Sequence, residues 1–262
     1  MDRKGKMSYP RHMKVSFPAG LLLLFPALAL AQAAAAPPEY ENLIGPAVRS
    51  RPAYDGSKSQ RLDLVPILDY EKNVFFARTV QGVLEAGARA SVGGGWKLGG
   101  QLAYEEGRKA SESSLLRNMN IPDVSVGLSA GLHAEWEGKI GPAPVIFVAR
   151  WRDQLHSDRG SQTDLRGTVG VYESGPVQAG VYAQATWATQ KSMRTYYAAP
   201  GFDPGGGLLG VSAGVIGSYD LAKRWQAIVN LEAHRLQGDA ARSPLTERRS
   251  NYYLIGGVAY RF

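Results

Sequence analysis

The sequence predicts an all-β chain, a transmembrane antiparallel β-barrel of about twelve strands with short periplasmic turns and long extracellular loops. Three observations predict it. Apolar residues alternate with small or polar ones at period two, in segments of about ten residues. The connections between those segments are alternately short and long, and the tryptophans stand at segment ends on the apolar parity. The mean hydropathy of −0.22 excludes a helical membrane bundle. The absence of Cys from the 262 residues excludes a disulfide scaffold, Cys-based metal sites and thiol catalysis.

The first element is a targeting segment. Residues 1–33 carry Arg3, Lys4, Lys6, Arg11 and Lys14, then the apolar run Ala19–Ala31 of 13 residues. A helix spanning a bilayer takes about 20 residues, so this run is too short. It exits through Ala31-Gln32-Ala33, with Ala29-Leu30-Ala31 as a nearby alternative; a basic start, a short apolar core and a small-residue exit make a secretory signal peptide. Its removal takes five basic residues and one acidic residue, leaving 229 residues, 34–262, with a net charge of +3. Much of the whole chain's +7 therefore belongs to the leader, and no contiguous Lys/Arg patch remains for nucleic acid.

Alternating segments then follow at roughly 42–51, 62–70, 73–79, 82–92, 96–105, 123–137, 143–152, 165–174, 177–189, 209–220, 225–236 and 249–262. In the sixth, Val124, Val126, Leu128, Ala130, Leu132, Ala134 and Trp136 oppose Ser125, Gly127, Ser129, Gly131, His133 and Glu135. In the ninth, Val177 to Trp187 oppose Gln178 to Thr186; in the eleventh, Trp225 to Ala233 oppose Gln226 to His234. The last ends on Tyr252, Leu254, Gly256, Val258, Tyr260 and Phe262. Connections at 71–72, 93–95, 138–142, 175–176 and 221–224 are short, and those at 52–61, 106–122, 153–164, 190–208 and 237–248 are long. Only the link between the third and fourth segments breaks the alternation. An even strand number with tight turns on one side is the layout of an outer-membrane barrel, both termini inside.

Trp96, Trp136 and Trp225 fall at short-turn ends, and Trp151 and Trp187 at long-loop ends. Two membrane-interface girdles place indoles this way, because an indole prefers the headgroup level. A closed barrel is also the sheet that leaves no backbone group unsatisfied in lipid. A soluble sandwich or lipocalin-like barrel explains period two equally well. It explains neither the tryptophans nor the chain's ending on an apolar-face aromatic.

Chemistry is sparse on this frame. Gly127-Leu128-Ser129-Ala130-Gly131 and Gly210-Val211-Ser212-Ala213-Gly214 both match G-x-S-x-G, but a nucleophile elbow needs a sharp strand-to-helix turn and each lies within an alternating strand. His133 with Glu135, and Glu232 with His234, share the lumen parity at i, i+2, with no third metal ligand indicated. No Ser shares the strand of His234, and His133 is placed toward the periplasmic end, so a lipid hydrolase has no visible base. Glu85, Arg89, Arg150, Arg166, Glu232 and Arg261 also face the lumen; with both signs present they plug a narrow barrel or line a small pore, and barrel size favours the plug. The segment holding Asp153, Asp158, Arg159, Asp164 and Arg166 is expected to be a solvated outer loop. No catalytic, metal or cofactor site is assigned.

Several stretches carry a resemblance. They are Arg51-Pro52-Ala53-Tyr54-Asp55-Gly56-Ser57, Gly107-Arg108, Tyr196-Tyr197 followed by Phe202-Asp203-Pro204-Gly205-Gly206-Gly207-Leu208, Arg235 through Leu245, and Gly256 through Phe262. In this order they resemble the MipA/OmpV family of outer-membrane proteins, MipA being the MltA-interacting protein. Lys109-Ala110-Ser111 departs from the more acidic run expected of the family. The ending Tyr260-x-Phe262 resembles the signal read by the outer-membrane assembly machinery. The resemblance implies a non-enzymatic barrel in the outer membrane of a Gram-negative cell. The family's namesake holds a murein lytic transglycosylase and a penicillin-binding protein together. The surface for such a scaffold is the short turns with Ala34–Glu41. The alternatives are recognition through long outer loops, where Tyr196, Tyr197 and Phe202 cluster, and a narrow diffusion channel.

Overall fold

A computed structural model describes residues 42–156 and 159–262. The leader at 1–33, the stretch Ala34–Glu41 and Asp158 lie outside the described residues. The described residues form twelve strands: β1 Leu43–Pro52, β2 Gln60–Lys72, β3 Phe75–Val80, β4 Val83–Gly93, β5 Trp96–Glu105, β6 Gly127–Ile140, β7 Ala143–Gln154, β8 Ser161–Ser174, β9 Val177–Ala188, β10 Gly207–Ala222, β11 Trp225–Leu236 and β12 Ser250–Arg261. Each pairs antiparallel with its sequence neighbours, and β1 closes on β12 from Leu43↔Arg261 to Ser50↔Leu254. The closure brings both ends of the described chain to the short-turn rim, where the Phe262 amide donates to the Asn42 carbonyl at 3.0 Å.

Period two is what turns this sheet inside out. The even residues of β12 and the odd residues of β11 face outward, among them Tyr252, Leu254, Val229 and Leu231, all exposed on the outer wall. Their neighbours Asn251, Gln226 and Glu232 are buried in the lumen. Apolar side chains outside and charged ones inside form the reverse of a water-soluble barrel, and the arrangement suits a wall surrounded by lipid.

The rims differ sharply. At one, strands are joined by two-residue connections at 73–74, 94–95, 141–142, 175–176 and 223–224. At the other, connections span 53–59, 106–126, 155–160, 189–206 and 237–249, with the short turn 81–82 as the exception. The long ones hold two helices, α1 Ser114–Asn118 and α2 Gln190–Tyr197, and pack together as a cap. Ala53, Tyr54, Leu116, Ile121 and Leu245 make one small apolar core within it, and Met193, Tyr197, Leu209, Leu236 and Ala240 another. Cross-loop hydrogen bonds tie the pieces, Tyr54 Oη to Leu245 O at 3.0 Å, Ser243 Oγ to Tyr197 O at 2.7 Å and Arg159 Nη1 to Ser125 O at 2.6 Å.

The starts of β6 and β8 differ most from the sequence expectation. β6 begins at Gly127 rather than at 123, because Val124 is drawn into the cap by paired backbone bonds with Arg108 at 2.8 Å and is buried there. β8 begins at Ser161 rather than at 165, so Asp164 and Arg166 belong to the wall and not to a solvated loop. Asp164 opposes Arg150 across β7 and Thr186 across β9, and is fully buried. Arg159 is buried as well, through its bonds to Ser125.

Candidate functional site in the barrel lumen

The lumen charges meet at mid-height. Arg78 of β3 donates to Glu85 at 2.6 Å and to Glu135 at 3.1 Å. Arg89 of β4 donates to the other oxygen of Glu135 at 2.6 Å and to Glu71 at 2.6 Å. Arg150 of β7 reaches Glu85 at 3.1 Å, while Arg152 reaches Asp164 at 3.0 Å and Glu105 at 3.2 Å. The result is a chain of alternating signs from β2 round to β8. Within this chain the buried carboxylates Glu85, Glu135 and Asp164 each have an arginine partner, and that pairing is what makes buried charge tolerable. Phe76 is seated among these groups, its ring 5.2 Å from both the Arg78 and Arg89 guanidinium carbons.

His133 belongs to this network. It lies midway along β6, not toward the short-turn end as the sequence suggested. Its Nε2 is 3.2 Å from Glu135, and its ring stacks obliquely on Phe76 at 5.7 Å. Ser129 is fully buried and donates to Glu105 at 2.5 Å, so the first G-x-S-x-G pentapeptide is a stretch of β6 with its Ser turned into the lumen. The second lies in β10, where Ser212 stands opposite His234 of β11. The neighbouring strand thus supplies the Ser that β11 lacks, but the His234 ring packs edge-on against Tyr253 at 6.1 Å. Among the described residues, no group of three His, Asp or Glu side chains is placed to hold a metal ion.

Of the other lumen residues named from sequence, Glu232 accepts from Tyr182 Oη at 2.9 Å and from Gln81 Nε2 at 2.7 Å. Arg166 lies 3.7 Å above the Tyr182 ring, and Arg261 bonds Asp220 at 2.5 Å near the short-turn rim. The sequence reading did not single out Arg49, Asp63 and Glu106: the first two stand opposite each other on adjacent β1 and β2, and Glu106 joins them from just past β5, far along the chain. Arg49 donates to Asp63 at 3.1 Å and also to Glu106.

Above the network, toward the cap, lies a cavity of about 260 Å³. Arg49, Arg108, Glu106, Tyr54, Tyr197 and Tyr253 are among the side chains around it. Tyr197 is buried and Tyr196 half-buried, so the aromatic cluster of α2 is turned into the cap rather than offered as an exposed loop tip. Burial pushes the Tyr197 hydroxyl well above its ordinary 10.0 and also raises Tyr54 and Tyr196.

The five tryptophans are on the outer wall. Trp96 pairs across from Trp136, whose indole N–H donates to Gly94 O at 3.0 Å and whose ring meets Phe147 at 5.8 Å. Trp225 meets Tyr260 edge-on at 5.2 Å, and Phe262 stacks on Tyr70 at 6.3 Å. Trp151 and Trp187 sit near the long-loop ends of β7 and β9.

A closed antiparallel wall, apolar without and charged within, defines an outer-membrane β-barrel. Within that class the chain belongs to the family described as MltA-interacting protein MipA, whose family model matches residues 44–262. In fold it is similar to the NanC porin, at 12% identity over 85% of this chain and 100% of that one, with a TM-score of 0.49. A bacterial polysaccharide outer membrane secretin is similar at 11% identity over 84% and 98% of the two chains, TM-score 0.48. An outer membrane channel from Pseudomonas putida F1 is similar at 10% identity over 87% and 100%, TM-score 0.44. Comparison with curated proteins gives no match.

Proposed function

We propose that this barrel is a non-enzymatic outer-membrane anchor whose short-turn face holds peptidoglycan enzymes, a murein lytic transglycosylase with a penicillin-binding protein, at the cell wall. The observation that carries this reading is the lumen. Ion pairs at mid-height join opposite charges across the interior from β2 round to β8, which supports a rigid peg rather than a wide pore. The family description, MltA-interacting protein, supports the choice of partner.

On this reading the leader at 1–33 delivers the chain to the periplasm, and Tyr260 and Phe262 present the ending recognised by the assembly machinery. Trp96, Trp136 and Trp225 form one interface girdle and Trp151 and Trp187 the other, in contact with outer-membrane lipid. The two-residue turns offer a partner little area, less than the ~800 Å² per side of a standard interface, so Ala34–Glu41 contributes to it. Recognition through the long loops is the weaker reading, because Tyr197 is consumed in the cap's own core.

The test uses the folded chain immobilised through its cap and presented with a purified lytic transglycosylase and a purified penicillin-binding protein. Retention of both, lost when the turns 94–95 and 223–224 are exchanged for unrelated turns, is the expected result. Failure of the correctly folded barrel to retain either rejects the scaffold. Discrete current steps in planar bilayers, comparable to those of a porin, would reject the filled lumen.

A further inference from the structure

The wall has a notch. β2 runs from Gln60 to Lys72, and β1 covers it from Gln60 to Asp69. On its other side, however, β3 pairs with it only from Asp69↔Arg78 to Lys72↔Phe75. The β3–β4 hairpin stops at Gln81–Gly82, and its tip is drawn over the lumen. The Gln81 carbonyl accepts from Arg49 at 3.1 Å, and its side chain donates to Glu232 of β11. Gly82 is at φ +83°, a conformation that other residues adopt only with strain, and the Arg49 side chain stands 2.7 Å from where its Cβ would be.

Above the tip, Gln60–Leu68 has no strand on its β3 side. Pro66 in that edge has no N–H to leave unpaired, the usual placement of a strand proline. Leu64 and Leu62 are the most exposed of the large outer-wall apolar side chains, at 86% and 73%, because β1 flanks them on one side only. On the lumen side the gap is closed by side chains rather than by backbone. Arg49 and Arg51 of β1 bridge Asp63 of β2 to Glu106 at the end of β5, and Arg61 bridges Asp63 to Glu112 in the cap.

The 260 Å³ cavity lies directly behind this closure, and Val80, Val83 and the outward-facing Tyr104 are part of its wall. Inside, the carboxylates already have partners: Glu106 has Arg49, Glu105 and Asp164 have Arg152, Glu85 has Arg150, and Asp55 accepts from Tyr253. Arg108 does not. It is 4% exposed, no carboxylate among the described residues forms an ion pair with it, and its Nε has no hydrogen-bond partner. Its one side-chain bond is from Nη1 to the Tyr196 carbonyl. A buried guanidinium without a counter-ion is costly, and an anion relieves that cost.

We propose that the notch between β2 and the β3–β4 hairpin is a lateral port, and that the cavity behind it binds a single-chain amphiphile with an anionic head. The head is held by Arg108, and the tail leaves past Val80, Val83 and Tyr104 to lie along Leu62 and Leu64 in the lipid. The guanidinium serves a carboxylate or a phosphate head alike. Breakage of the Arg49–Glu106, Arg51–Glu106 and Arg61–Glu112 pairs opens the port without breaking a backbone ladder.

The test is photolabelling of the folded chain in lipid nanodiscs with dodecyl phosphate carrying a terminal diazirine, read by peptide mapping. The expected result is saturable labelling concentrated on the peptides bearing Leu62, Leu64 and Tyr104, competed by unlabelled dodecyl phosphate. Labelling should fall at least tenfold in Arg108→Gln and stay unchanged in Arg194→Gln, which alters an exposed pair with Asp203 in the cap. Should Arg108→Gln fail to fold, the same diazirine on neutral dodecanol tests the head on the unaltered chain, with weak, non-saturable labelling expected. Labels spread evenly round the belt, or equal labelling by the neutral probe, overturn the proposal. Complete displacement by inorganic phosphate at the concentration at which dodecyl phosphate competes shows an anion site filled from solution, and also overturns the lateral route.

Discussion

Between β8 and β9 the wall is laddered over almost its whole height, from Gln162↔Ala188 to Ser174↔Val177. Between β2 and β3 it is laddered only from Asp69↔Arg78 to Lys72↔Phe75, and the remainder of the seam is closed by Arg49, Asp63 and Glu106. Both regions separate lumen from lipid, but by different forces. A continuous backbone ladder asks of its side chains only the right parity. A side-chain closure asks for named charges, and it responds to the loss of any one of them.

The largest effect expected from breaking this contrast is at the centre of the charged half. Glu135→Ala removes the carboxylate shared by Arg78, Arg89 and His133, and breaking a buried pair of this kind costs about 3–5 kcal/mol. The midpoint of urea unfolding, followed by the heat-modifiable gel band, should fall accordingly. Leu165→Ala on the outer face of β8 should move it far less.

Asp63→Asn comes next. It weakens the bonds from Arg49, Arg51 and Arg61, and a hydrogen bond to a charged group contributes about 1.5–3 kcal/mol. Its distinctive readout is local: amides of 62–68 should exchange faster while those of 165–171 do not change. In the unaltered chain the same two segments should already differ about tenfold in exchange, since local opening spans the range from near zero to the global stability. Equal exchange in both would show that the notch is not the weaker seam.

The cap responds to pH in the alkaline direction. Burial raises the hydroxyls of Tyr197 and Tyr54 above their ordinary 10.0. A group whose folded pKa exceeds its unfolded one stabilises fully below the unfolded value, and that contribution is lost as pH rises through the folded value. Proteolysis within 189–206 should therefore stay slow through neutral pH and accelerate above about pH 10, in line with the reference tyrosine value. Tyr197→Phe, which has no proton to lose, should shift the onset upward. Smallest is Trp225→Leu, which loses the edge-on contact with Tyr260 at about 1 kcal/mol.

Strand number, wall polarity and the placement of long and short connections were legible because they are repeated in every strand. A single misjudged residue cannot erase a pattern carried by so many. The start of β8 was not legible. Asp164 looks like a loop residue until Arg150 and Arg152 on β7 supply the partners that let it be buried, and Arg166 until the Tyr182 ring of β9 lies beneath it. The inward turn of Tyr197 was hidden likewise, because its core is completed by Leu209 and Leu236 from other strands and by Ala240 from the last long connection.

By itself, then, the sequence determined the barrel. Alternation at period two decides which face is apolar, and glycine, proline and aspartate at the ends decide where each strand turns. The tertiary structure alone decided how the interior is closed. Which arginine meets which carboxylate depends on the register of strands far apart in the chain, and Arg49 meets Glu106 across 57 positions. It also left Arg108 without a counter-ion, and it left Gln60–Leu68 of β2 open on one side, because the β3–β4 hairpin ends below the strands flanking it.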